Sequence, residues 1–278
     1  MSFYPQPYKY QCGPFALKYA LVMLGQFKDE KDISQKAGST WWYGTDEIGL
    51  AKAAKAYKCK MKYFQSSDKH IAISLLIEKI KNGYPCILSV DNWGHWLTVS
   101  NYNKKRFIIV DSDLEKVIAV YSEVQLLKRW LYYDESTDEI SFDGYALIPN
   151  YKVTTKASFT LEKAKYLMRE SNKELAVKWD EYFTDLINIC KPFSPYSKHA
   201  ISFSEFLRRY ENMLVYETAN WHGNPTYAEL RKILKNMQFV AEVYGLVIPA
   251  QDHKKVLVDI ALLLMMFSCG KYGMEKIY

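Results

Sequence analysis

The chain is short of several things, and each shortage narrows what it can be. Its 278 residues hold only five cysteines, at 12, 59, 86, 190 and 269, an odd number with no Cys-x-x-Cys pair. Neither a disulfide framework nor a cysteine zinc site is indicated. The five histidines show no HxxxH or HExxH spacing, so no metal is expected. Long apolar runs are missing as well: the most apolar stretch, 256–267, is interrupted by Asp259 and falls well short of the ~20 residues that span a bilayer. No basic segment followed by an apolar core opens the chain, so there is no secretory signal and the expected location is the cytoplasm. Charge of one sign is scarce. The net charge of +6 is shared evenly between the two halves, which offers no polycationic face for a phosphate backbone, and nucleic acid is not expected as a partner.

What is present is apolar and aromatic. Hydrophobic residues make up 49% and aromatic residues 15%, with 23 Tyr, enough to bury two moderate cores at this length. Residues 13–24, 45–57 and 72–81 read as helices; Pro14 sits in the first turn of the first, and Asn82–Gly83 closes the third. The character then changes. PCILSVD (85–91), HWLTVSNY (95–102) and RFIIVD (106–111) read as strands, as do 117–121 and 145–148. Helices followed by an antiparallel sheet give an α+β class. From about residue 159 the pattern is helical, with capping boxes at Ser202/Glu205 and Thr226/Glu229 and breaks at Pro192, Pro195, Pro225 and Pro249; Gly245 and Gly270 suit helix stops. The expected domains are 1–152 and 158–278, joined by a polar stretch, the second all-helical.

One constellation carries chemistry. A helix N-terminus favours a thiolate, and Cys12 stands where the first helix begins. Cys59, Cys86, Cys190 and Cys269 read as packing residues. A thiol nucleophile needs a base, and the base an orienting group. His95 opens one strand and Asp111 closes the next, so a hairpin about 103 brings them to one edge. Asp113 and Asp91 are near enough to compete as orienter. Acyl transfer also needs an oxyanion donor. Gln11 adjoins the cysteine and points away from it, whereas Gln6, six residues back, can fold over it. Trp41, Trp42, Tyr43 and Trp96 are candidate cleft residues, while NWHGNP (220–225) reads as a packed turn between helices.

The runs QPYKYQCGPFAL, GHWLTVSNY and IIVDSD together resemble the bacteriocin-processing, double-glycine leader peptidases. In that family a Gln lies six residues before a Cys-Gly pair, and a Gly-His-aromatic strand precedes an Asp by about sixteen. Over residues 1–150 the resemblance implies a papain-like fold with N-terminal helices packed on an antiparallel sheet. It also implies a cofactor-independent Cys12–His95–Asp111 triad with Gln6 in the oxyanion hole, acting on a peptide or protein. Ser112 departs from the family, where Pro usually follows the Asp, and the chain lacks the spans and GxxxxGK[ST] loop of the exporters. Three alternatives use the same residues: an acyltransferase, transglutaminase-like enzyme or deamidase; a non-catalytic peptide-binding module; and an isopeptidase that recognises a folded protein partner through the helical half.

Overall fold

The computed structural model describes residues 1–194, 199–219, 221 and 224–267. Pro195, His222, Cys269 and Gly270, with part of the 220–225 turn, lie outside them. Two compact units divide the chain, the first Met1–Lys178 and the second beginning at Trp179.

In the first unit α1 (Cys12–Met23) is buried along its whole length, as expected of a helix apolar on every side. Its one charge, Lys18, is paired with Glu30 at 2.8 Å. Around it pack α2 (Glu30–Ala37) and α3 (Glu47–Ala56), capped by Asp29 and Asp46, whose carboxylates accept from backbone N–H groups. Next come β1 (Cys59–Ser66), α4 (Lys69–Lys81), β2 (Cys86–Val90), β3 (His95–Asn103), β4 (Arg106–Val110), β5 (Ile118–Tyr121), α5 (Glu123–Trp130), β6 (Tyr132–Asp134), β7 (Glu139–Pro149), α6 (Leu161–Leu167) and α7 (Lys173–Val177). The sheet runs β1-β7-β2-β3-β4-β5 with β6 on the far end of β7, and every pairing is antiparallel.

Side chains alternate across this sheet and fill two cores. Ile87, Trp96 and Leu147 pack on the α1–α3 side; Leu88, Leu97, Val99 and Ile109 pack with residues of α4 and α5 on the other. Gly144 is required where β7 passes under Phe64, because a Cβ there would lie 2.5 Å from that ring. The α+β class and the antiparallel sheet match the expectation, but β1, α2, α5 and β6 have no counterpart in it. β1 carries Lys60 and Lys62 on an edge strand, and edge lysines disguise a strand as a loop while blocking further pairing.

The polar stretch after β7 leads on within the first unit. Asn101 Nδ2 donates to Phe159 O at 2.7 Å, and the Ser2 and Phe3 amides donate to Val177 and Ala176 carbonyls at 2.9 and 3.0 Å. The segment through α7 therefore braces the N-terminal strand of chain that carries Gln6.

The second unit holds α8 (Trp179–Ile189), α9 (Phe203–Thr218), α10 (Tyr227–Val243) and α11 (His253–Met266). It is not entirely helical: β8 (Lys191–Pro192), β9 (Ala200–Ser202) and β10 (Leu246–Pro249) form a small antiparallel sheet in the order β8-β10-β9. These strands are two to four residues long, too short to show a period of two. Thr226 and Glu229 form a reciprocal capping box. Ser202 caps α9 in one direction only, as Glu205 turns to Arg208 and Arg209. Much of the aromatic excess packs these helices, with Tyr182 stacked on Phe267 and Tyr244 accepting from Trp179 Nε1 at 3.1 Å. Among the described residues no helix is long and apolar enough to cross a membrane.

Candidate active site

Cys12 is the first residue of α1, so its backbone N–H is among those with no intrahelical partner. Gly13 lets this helix end approach the loop before α3: a Cβ there would lie 2.9 Å from the Thr45 Cβ. All four described cysteines, Cys12 included, are buried; at the other three burial outweighs smaller opposing influences and pushes the Cys59 thiol up to about 11, Cys190 to about 12 and Cys86 higher still. Those three are packing groups held protonated.

His95 and Asp111 meet because of an irregularity in the hairpin. Near its turn the β3–β4 register pairs Asn103 with Arg106 and Asn101 with Ile108, but beyond Ser100 it slips to Val99 with Ile109 and Thr98 with Val110. A one-residue slip exchanges the faces of a strand. Continued from the turn, the first register would set Asp111 across from Thr98, which faces α1 and donates to Ala16 O. The bulge sets it across from Leu97 instead, on the face His95 shares. Ser100 Oγ donates to Ile108 O at 3.1 Å and secures the bulge.

The pair is buried and tight. His95 Nε2 lies 2.7 Å from Asp111 Oδ1, and Cys12 is near enough to favour the charged imidazole. Burial is the largest single influence on the imidazole and disfavours its charge, but Asp111, through its hydrogen bond and its charge, and the neighbouring Cys12 outweigh it and raise His95 to about 9. Burial likewise pushes Asp111 up, yet bonds from His95, Arg129 and the Asp113 amide hold it below the ordinary carboxylate range. Asp113 takes part through that amide, 3.0 Å from Asp111 Oδ1. Asp91 is engaged elsewhere, by Arg129 Nε at 3.0 Å.

Arg129, at the end of α5, escaped sequence reasoning. Its Nη1 donates to Asp111 Oδ2 at 2.6 Å and to Tyr121 Oη at 3.2 Å, and its carbonyl accepts from the Asp91 amide at 2.6 Å. Asp91, Asn92 and Trp93 all have positive φ, 53, 57 and 63°, a strained turn leading straight into His95. Arg129 thus holds both Asp111 and the turn that leads into His95. Nothing local in the sequence marks it, since arginine in a last helical turn is commonplace.

Gln6 reaches the same end of β4. Its backbone N–H donates to Ser112 O at 2.9 Å, its Oε1 accepts from Ser112 Oγ at 2.6 Å, and its Nε2 donates to Lys9 O at 3.3 Å. Ser112 is buried, so the departure from proline supplies a hydroxyl that fixes the glutamine amide. Trp41, Trp42 and Tyr43 stand exposed and line a cavity of about 340 Å³ together with Cys12, Trp93 and Trp96. Trp96 is a fixed wall whose Nε1 donates to Thr45 O at 2.9 Å.

No curated protein matches this chain. Among solved structures it is similar to the peptidase domain of Streptococcus ComA, a bi-functional ABC transporter of a quorum-sensing pathway, at 18% identity over 53% of this chain and 98% of that one, with a TM-score of 0.41. A double glycine motif protease from an AMS/PCAT transporter, in complex with the leader peptide, is similar at 16% identity over 51% and 89%, with a TM-score of 0.37. The peptidase domain of Streptococcus mutans ComA is similar at 18% over 51% and 98%, with a TM-score of 0.32. The stretch that holds Gln6, Cys12, His95 and Asp111 is the stretch that matches a known family: residues 2–133 match the model of the Peptidase C39 family.

Proposed function

We propose that the chain is a cysteine peptidase in which Cys12 attacks the carbonyl of a peptide amide. The observation that carries this reading is the buried His95–Asp111 pair at 2.7 Å, with Cys12 near enough to act on the imidazole. An imidazole raised to about 9 is protonated at neutral pH, so it can stand as the cation opposite a thiolate and hand its proton to the leaving amine. Asp111 fixes the ring and favours its charge. The developing oxyanion would be met by the Cys12 backbone N–H and by Gln6 Nε2, once the latter leaves Lys9 O. Water, giving its proton to the now neutral imidazole, attacks the acyl carbonyl; the acid departs and the Cys12 thiolate stands again opposite the protonated imidazole.

The family match supports a peptide substrate, and the chain's own second unit is a surface on which a protein substrate or partner could dock. The test is to trap ligands on a Cys12→Ala protein in lysate and then present them to the active protein. Hydrolysis yields two fragments whose masses sum to the parent plus one water; transfer to an amine yields an adduct instead. Full turnover of those peptides by Cys12→Ala would reject the proposal.

A further inference from the structure

We infer that the cavity beside Cys12 is a specificity subsite for a bulky apolar or aromatic side chain next to the scissile bond. The inference rests on Cys12 being the nucleophile. Thr40 and Gly44 exchange two backbone hydrogen bonds of 2.9 Å, and Tyr43 N bonds Thr40 Oγ1 at 3.2 Å, so Trp41, Trp42 and Tyr43 are presented from a closed, rigid loop. Trp41 and Trp42 meet edge to face at 5.2 Å. Across the cavity, Trp93 is held by stacking on Tyr132 at 3.9 Å and by donating to Asp143 Oδ2 at 3.1 Å.

Both walls are therefore ordered before any ligand arrives, yet all four rings remain largely in water, with Tyr43 89% exposed. Exposed aromatic clusters that are held rigid mark recognition surfaces, because ordering them in advance removes an entropic cost of binding. A glycine beside the scissile bond would leave a cavity of about 340 Å³ unfilled. An aromatic or branched side chain would fill it and displace water from rings on two sides. The charge of the lining selects further: among the described residues Lys9 is the one charged side chain there, with no carboxylate in the lining. A cationic side chain, which four indole and phenol faces could otherwise attract, meets a like charge instead.

The test uses the full chain and four thiol-directed peptide electrophiles that differ only in the residue next to the reactive carbonyl: Phe, Leu, Gly or Arg. Labelling of Cys12 is followed by mass spectrometry. The Phe and Leu reagents should react about 10- to 200-fold faster than Gly, the range a hydrophobic pocket discriminates. Trp42→Ala, at an exposed ring of the 40–44 loop, should cut the Phe-to-Gly ratio severalfold; Trp93→Ala should do the same, and since Trp93 packs on Tyr132 in the turn before His95, its rate with the Gly reagent controls for disturbance of that turn. A Gly or Arg reagent that reacts as fast as Phe overturns the inference while leaving Cys12 as nucleophile. Labelling that His95→Ala does not slow overturns that nucleophile assignment, and the subsite with it.

Discussion

Arg129→Met removes a cation whose two arms differ in environment, and the structure sets the size of each loss. One arm meets Asp111, which is fully buried, at 2.6 Å; the other meets Asp91, whose side chain is 43% exposed. Leaving a buried carboxylate short of a charged donor costs about 2–3 kcal/mol, taken low because the arginine side chain is itself 23% exposed. The exposed arm is worth at most about 1 kcal/mol. Asp91→Asn therefore separates the two, losing only the smaller part in urea denaturation. Activity supplies a readout that packing alone would not move. With the guanidinium gone, the Asp111 charge acts on the imidazole unopposed, so the alkaline limb of kcat/KM, near 9 in the parent, should rise by about one unit. Asp111 stays ionised, since its carboxyl starts below the ordinary range. Looser aim of His95 should lower kcat/KM about tenfold, which corresponds to about 1.4 kcal/mol of transition-state stabilisation. A folded Arg129→Met protein with an unmoved alkaline limb and kcat/KM within twofold of the parent would refute the role assigned to Arg129.

Three further outcomes follow from the same geometry. Ser112→Ala frees the Gln6 amide to rotate and should lower kcat about tenfold with KM nearly unchanged, below the full loss of an oxyanion donor; an unaltered kcat would show that the 2.6 Å bond does not position Gln6. Because the folded imidazole is raised to about 9 from an ordinary ~6.5, its contribution to stability is complete below about pH 6.5 and declines as pH rises through about 9. That loss amounts to about 3 kcal/mol, and denaturation at pH 6 and pH 10 should show it in the parent and not in His95→Gln. Gly13→Ala places a methyl 2.9 Å from the Thr45 Cβ and should cost about 1–3 kcal/mol by overpacking the helix end, read as a lowered denaturation midpoint.

The site was legible where its chemistry is local. Cys12, Gly13 and Pro14 announce a helix start, and the two strands ending in Asp111 and beginning with His95 are dense in β-branched and aromatic residues. What stayed hidden depends on contacts distant in sequence. A hairpin read from its turn would send Asp111 to the wrong face, and only the slip at Ser100 corrects it; no residue type at that position declares a bulge. Arg129 and Ser112 act on groups 18 and 106 residues away. Trp93 went unmarked, since only the fold brings it to the cavity that Trp41 and Trp42 line. The short strands of the second unit were hidden for another reason, since two to four residues carry no periodic signal.

The central claim is that His95 activates Cys12, and the rate at which a peptide electrophile alkylates Cys12 measures it directly. The account predicts rapid labelling of Cys12 at neutral pH, abolished in Cys12→Ser and slowed about 100-fold or more in His95→Ala, with Cys59, Cys86 and Cys190 unlabelled in the folded protein. Equal labelling rates in the parent and His95→Ala, or modification of Cys59, Cys86 or Cys190 in preference to Cys12, would contradict it.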